Sequence, residues 1–218
     1  MKLLAHKYAN RSSQIITIHE ALRLKRKFPD EWEGRHFYDI TKLRPMVPVD
    51  RGVRSSSFSF LGGGGGGHGQ GSKGIAHELV QDYVCQLQAW PIKVYGKEFM
   101  LKIESALDEW LVSDSTTGAN YLVDCKLTLA EDSDLYRESS GCVGIEITDT
   151  HKTTPKKRKA LARTGLMVME LQMIPDWHVP NEVKITSDEL KLLRARITGF
   201  LNKGTWLSCL AKPSSVRI

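Results

Sequence analysis

Two acidic residues stand inside otherwise apolar runs: Asp124 in Val123-Asp124-Cys125-Lys126-Leu127, and Glu146 in Val143-Gly144-Ile145-Glu146-Ile147-Thr148. Both runs have the β-branched content and alternation of strands, in which residues two apart share a face. Lys126 therefore shares the side of Asp124 and Thr148 the side of Glu146, with Ile145 and Ile147 turned the other way. A carboxylate in an apolar strand is unfavourable unless it is paired, protonated or bound to a cation. Two such strands, close in sequence, can bring both carboxylates to one Mg2+ or Mn2+ ion. That hard cation takes oxygen ligands, activates water and offsets charge on a phosphate. A plainer reading of the same residues is structural, with salt bridges from Asp124 and Glu146 to Lys126 or Lys102.

A sheet with flanking helices is needed to hold the pair. Strand-like stretches run at 99–103, 106–112, 121–129 and 143–148, with a turn over Thr116 to Asn120 and a longer polar connection from Glu131 to Ser140. Ahead of them, Leu79, Tyr83 and Leu87 recur at four-residue intervals beside Val80 and Val84, which predicts a half-buried helix over 75–87 closed by Pro91. Behind them, Thr154 caps a short basic helix that starts at Pro155, runs through Lys156 to Arg163 and stops at Gly165. Leu166 to Leu171 then forms another strand, and strand, helix, strand in that order is a crossover returning to the same sheet. Thr186 and Glu189 make a capping-box pattern ahead of the stripe Leu190, Leu193, Ile197, Leu201. Near the start, Ile18 to Phe28 reads as a helix whose polar side carries Arg23, Lys25, Arg26 and Lys27, either a solvated face or a surface for phosphates. Pro29, Pro45 and Pro48 keep the following stretch from being one regular element.

The whole is an α/β chain of 218 residues, in which Lys plus Arg outnumber Asp plus Glu 31 to 25. That balance favours a polyanionic partner. Cys85, Cys125, Cys142 and Cys209 are too scattered for a zinc knuckle or a redox dithiol. No apolar run approaches the roughly 20 residues of a membrane span, so no membrane partner and a cytoplasmic protein are expected. Three segments are expected: a basic amino-terminal segment of unclear fold over 1–50, a Ser/Gly-rich linker or mobile loop over 51–73 containing Gly62 to Gly67, and an α/β domain over 74–218. Gly71-Ser72-Lys73-Gly74 has its Ser and Lys in the wrong order for a phosphate-binding loop.

In its middle third the chain resembles the PD-(D/E)xK restriction-endonuclease-like superfamily, and within it the competence-protein CoiA-like branch. The likeness covers roughly residues 74–173 and rests on Val123-Asp124, Gly144 to Thr148, Thr150-His151, Lys157, and the strand ending Val168-Met169-Glu170-Leu171. Glu109 and His77 resemble that branch as well. The resemblance implies a central mixed sheet flanked by helices and divalent-metal-dependent hydrolysis of phosphodiester bonds, in DNA rather than RNA by preference. It makes Asp124 and Glu146 the ligands of Mg2+ or Mn2+, with Glu109 as a further one, and sets His151 and Lys157 around the scissile phosphate. Thr148 stands in the place of the motif lysine and cannot supply its charge, which then falls to Lys157 or Lys126. Lys126, Lys152, Lys156, Arg158 and Lys159 are candidate nucleic-acid contacts, and His77 and Glu170 further site residues. Other departures are Val123 in place of the proline before the aspartate, Gln81 in place of a helix lysine, and the lack of a cysteine-rich amino-terminal module. One site per chain is compatible with a homodimer that cuts both strands. The rival readings are a noncatalytic nucleic-acid binder with a degenerate site, motivated by Thr148, and a protein-interaction adaptor.

Overall fold

The computed structural model describes residues 2–52, 56–61, 74–149, 152–179 and 185–213. Gly62 to Gly67, expected to be mobile, and His151 lie outside the described residues. The chain divides into two units, Met1–Glu78 with His178–Arg194, and Leu79–Trp177 with Ala195–Ile218.

In the first unit, β1 (Leu4–His6), β2 (Ile15–Thr17), α1 (Ile18–Lys27), α2 (Pro29–Trp32), β3 (Phe37–Tyr38), β4 (Pro45–Val49) and β5 (Ser57–Phe60) follow one another. The strands form an antiparallel sheet in the order β2-β1-β3-β4-β5. Phe58 donates its N–H to the Lys2 carbonyl at 2.9 Å, so the sheet curls until its last strand meets the chain just ahead of its first. Inside lie Ala5, Ile16, Ile18, Ala21, Trp32, Phe37, Met46 and Phe58, with Trp32 stacked on Phe37 at 4.8 Å. Helix α1 begins where the Thr17 hydroxyl accepts the Glu20 N–H, and ends on Lys25, Arg26 and Lys27, whose charges complement the helix dipole.

Pro45 and Pro48 do not break this stretch, and both sit within β4. Pro48 faces Phe58, whose N–H is directed at Lys2, so this is a cross-strand pair that exchanges no backbone bonds. The Pro48 nitrogen points to where the two-residue β3 has already ended, and no ladder bond is lost. Ser57–Phe60, inside the Ser/Gly-rich stretch, pairs along β4.

Glu78 is buried in this unit, and its carboxylate accepts the N–H groups of Leu3 at 2.8 Å and Leu4 at 3.2 Å. Burial pushes its carboxyl up to about 7, against the opposing pull of Lys2 and these two N–H groups. The unfolded chain ionises Glu78 near the ordinary carboxylate value while the folded chain keeps its proton. Stability is thus fully present below pH 4.5 and falls as pH rises toward about 7, by about 3 kcal/mol at the end of that window. Urea midpoints from pH 5 to 8 should fall more steeply in the parent than in Glu78→Gln. Parallel curves would show that Glu78 does not hold this proton.

In the second unit the chain continues from α3 (Ile75–Val84) through β6 (Ala89–Val94), β7 (Lys97–Ser113), β8 (Asn120–Leu129), β9 (Cys142–Thr148), α4 (Pro155–Arg163), β10 (Met167–Gln172), α5 (Ser187–Leu201), β11 (Thr205–Trp206) and β12 (Ser208–Ala211). The unit boundaries fall within α3 and α5. Seven strands make one mixed sheet in the order β11-β6-β7-β8-β9-β10-β12. β6 to β9 are antiparallel neighbours, and β9 and β10 run parallel across the α4 crossover. This is the mixed, helix-flanked sheet expected from the sequence. The two strands expected over 99–112 are one long strand, because an irregularity between Ile103 and Ser105 absorbs the polar interruption. Pro91 does not close α3. It lies in β6 opposite Met100, and α3 ends at Val84 in a tighter turn, with the Gln86 N–H bonded to the Tyr83 carbonyl. Among the described residues no helix is long and apolar enough to cross a membrane.

Candidate functional site

The β8–β9 ladder runs from Thr128 opposite Cys142 to Cys125 opposite Ile145 and stops there. The next residue of each strand is one of the two acids. Beyond this point the Asp124 carboxylate takes over from the backbone: its Oδ2 accepts the Ile147 N–H at 2.8 Å. The Asp124 carbonyl in turn accepts the Gln81 side-chain amide at 2.8 Å. Asp124 is therefore fixed beside the strand that carries Glu146. On β10, Glu170 lies in register with Glu146, so acids stand on three neighbouring strands, and all three are buried.

The strands change face at this level. Asp108 pairs with Cys125, whose Sγ lies against the Gln81 carbonyl of α3, whereas Trp110 pairs with Val123 and both pack with Leu161 of α4. Residues two apart in a regular strand share a face, so β7 and β8 switch sides at Glu109 and Asp124. Glu109 takes the left-handed backbone at φ 55°, uncommon for a residue with a side chain. Strain of this kind concentrates where function demands it.

From α4, Lys157 donates through Nζ to the Leu122 carbonyl at 2.6 Å and makes a short ion pair with Glu146 Oε1. The two side chains are only 17% and 10% exposed. α4 is held at both ends, by the Thr154 hydroxyl accepting the Lys157 N–H and by Arg163 paired with Asp114 at 2.5 Å, a contact that holds Asp114 well below the usual carboxylate range. On β9, Gly144 makes room for side chains of the strands beside it: a Cβ there would come within 3.2 Å of Val123 Cγ1 and 3.3 Å of Val168 Cγ2. Lys126 is directed elsewhere, its Nζ 5.2 Å from the Trp110 ring centre. Lys102 pairs with Asp132, so the structural salt bridge considered for Glu146 exists, but with Lys157.

Glu170 Oε1 accepts the Thr153 N–H at 2.9 Å. The hydroxyls of Thr148 and Thr153 are buried and have no hydrogen-bond partner among the described residues. Lys152, Lys156, Arg158 and Lys159 are exposed on and just ahead of α4. His77 lies in α3, in the first unit. Gln81 and Thr153 were not among the expected site residues. Gln81 gave one signal, its place four residues after His77, where the resemblance expects a helix lysine.

Among the described residues no three His, Cys, Asp or Glu side chains gather as a metal-holding group, so Glu109 does not complete one with Asp124 and Glu146. The donors at hand nevertheless suit Mg2+ or Mn2+: two carboxylates at the end of one ladder, oxygen only, with the rest of the shell left to water and substrate. A cation there would compete for carboxylate oxygens with the Ile147 N–H and the Lys157 ammonium. Comparison of the chain with protein-family models, with curated proteins and with solved structures finds no match in any of the three.

Proposed function

We propose that the chain hydrolyses phosphodiester bonds in nucleic acid, DNA before RNA, with Mg2+ or Mn2+ held by Asp124 and Glu146. The observation that carries this reading is Lys157, which reaches from α4 into the row of buried acids and supplies the positive charge that Thr148 cannot. The order α3, β7-β8-β9, α4, β10, with antiparallel pairs followed by a parallel one, also accords with a restriction-endonuclease-like core.

A bound divalent cation supplies charge neutralisation and an activated water. The chain's own residues do the rest. The Ile147 N–H fixes the Asp124 carboxylate, and Lys157 Nζ, already desolvated against Glu146 and Leu122, donates to charge developing on the phosphate. Lys152, Lys156, Arg158 and Lys159 contact the backbone on either side. Labelled single- and double-stranded DNA and RNA incubated with Mg2+, Mn2+ or EDTA test the reading, and products only with metal are expected.

The self-contained Lys157–Glu146 pair favours a second reading, a noncatalytic binder in which the ammonium permanently stands in for the cation. Tight binding with no metal-dependent product on any of these substrates decides for it. Under either reading, changing Lys156, Arg158 and Lys159 together to Gln should weaken binding and reduce the salt slope by about 3, one counterion release per lost contact, with the melting transition unchanged. An unchanged slope would assign these side chains to solvent.

A further inference from the structure

The first unit has a basic groove of its own. A cleft of about 530 Å3 runs beside α1, lined by His19, Arg23, Arg26 and Lys27 on the helix and by Asp50 and Ser56 opposite. The four helix residues stand four, three and one apart, which puts them on one side of α1 over about 12 Å of its length. A second cleft of about 240 Å3 adjoins it, shares His19 and Arg23, and takes in Glu20, whose carboxylate is held by the Ser187 hydroxyl at 3.0 Å. Arg23, Arg26 and Lys27 are exposed, and three Lys/Arg with one His face a single carboxylate in the larger cleft. Burial among apolar side chains would mark an enclosed small-molecule site. An open, elongated groove with charges repeated along it suits a polymer whose charges also repeat.

We propose that this groove binds the phosphodiester backbone of nucleic acid, as a second contact surface in addition to α4. The inference rests on the reading of the chain as a nucleic-acid enzyme and names where else its substrate is held. Asp50 acts as the groove's brake. It holds Arg26 at 2.5 Å, and is itself fixed by the Gly52 N–H at 3.1 Å and the Ser56 hydroxyl at 3.0 Å. Asn at this position still accepts the Gly52 N–H but releases the guanidinium to a phosphate.

The test is fluorescence anisotropy of a labelled DNA duplex of about 30 base pairs, titrated with the full chain in EDTA over a range of salt. Arg23→Gln with Arg26→Gln and Lys27→Gln should weaken binding at least about tenfold and reduce the salt slope by about 3, with an unchanged melting transition. Asp50→Asn should tighten binding several-fold, an effect that loss of structure does not produce. Parent-like affinity and slope in the triple variant overturn the inference and leave the hydrolytic reading standing. If the triple variant fails to fold, Asp50→Asn decides, and absence of a gain overturns the inference. A parent chain that binds no nucleic acid overturns both readings.

Discussion

Asp124→Asn and Glu146→Gln should each lower the single-turnover cleavage rate about 10²- to 10³-fold at saturating Mg2+, the several kcal/mol of charge stabilisation that a correctly held cation provides. Asp124→Asn is the cleaner of the two. Its side-chain carbonyl can still accept the Ile147 N–H, so the splayed end of the ladder is kept and only the charge goes. Glu146→Gln also deprives Lys157 of its counter-charge in a site where both side chains are largely buried, so a lower melting temperature should accompany the lost rate. Measuring bound substrate in single turnover separates the chemical step from affinity. Parent-like rates in both variants would make the row of acids an architectural feature and the proposed chemistry wrong.

Lys157→Met should slow the same step about 10²-fold, whereas Lys126→Met should leave it within a few-fold of the parent. The geometry separates the two lysines. Lys157 Nζ bonds both Glu146 and the Leu122 carbonyl, two residues ahead of Asp124, while Lys126 Nζ lies over the Trp110 ring. An inversion of this ranking would place the missing motif charge on the aspartate strand and would dismiss α4 from the chemistry. Lys126→Met should instead show itself in stability, by about 1 kcal/mol, through the lost cation–π contact.

Local rules carried the α/β core a long way. The capping residues Thr154 and Thr186, the apolar stripes of α3 and α5, and the alternation around Asp124 and Glu146 all describe elements that form close to where the sequence puts them. Alternation does not by itself bring the two acids to the end of one ladder, which the register between β8 and β9 does. It could not direct Lys126, because the face switch at Glu109 and Asp124 turns Trp110 toward the α4 side, and no residue type announces a left-handed glutamate. The first unit was the least legible. Its strands β1, β2 and β3 are two or three residues long, too short for a period of two to show, and the prolines of β4 are tolerated only because a neighbouring strand ends early. Lys157 meets Glu146 across the connection from β9 into α4, which neither a strand period nor a helix period describes, so its role was suggested by family likeness rather than by spacing.

The amino-terminal unit is discontinuous, since Met1–Glu78 is completed by His178–Arg194, where the Ser187 hydroxyl bonds the Glu20 carboxylate at 3.0 Å. On the ribosome, therefore, all of Leu79–Trp177 leaves the exit tunnel before that unit has every part it needs. Order of synthesis and order of assembly differ, and the first-made strands must wait for a segment made well after them. A gene split at the glycine run would leave Glu20 and Ser187 on different products, so the natural linker-like sequence is not a place where this chain can be cut into two self-sufficient halves.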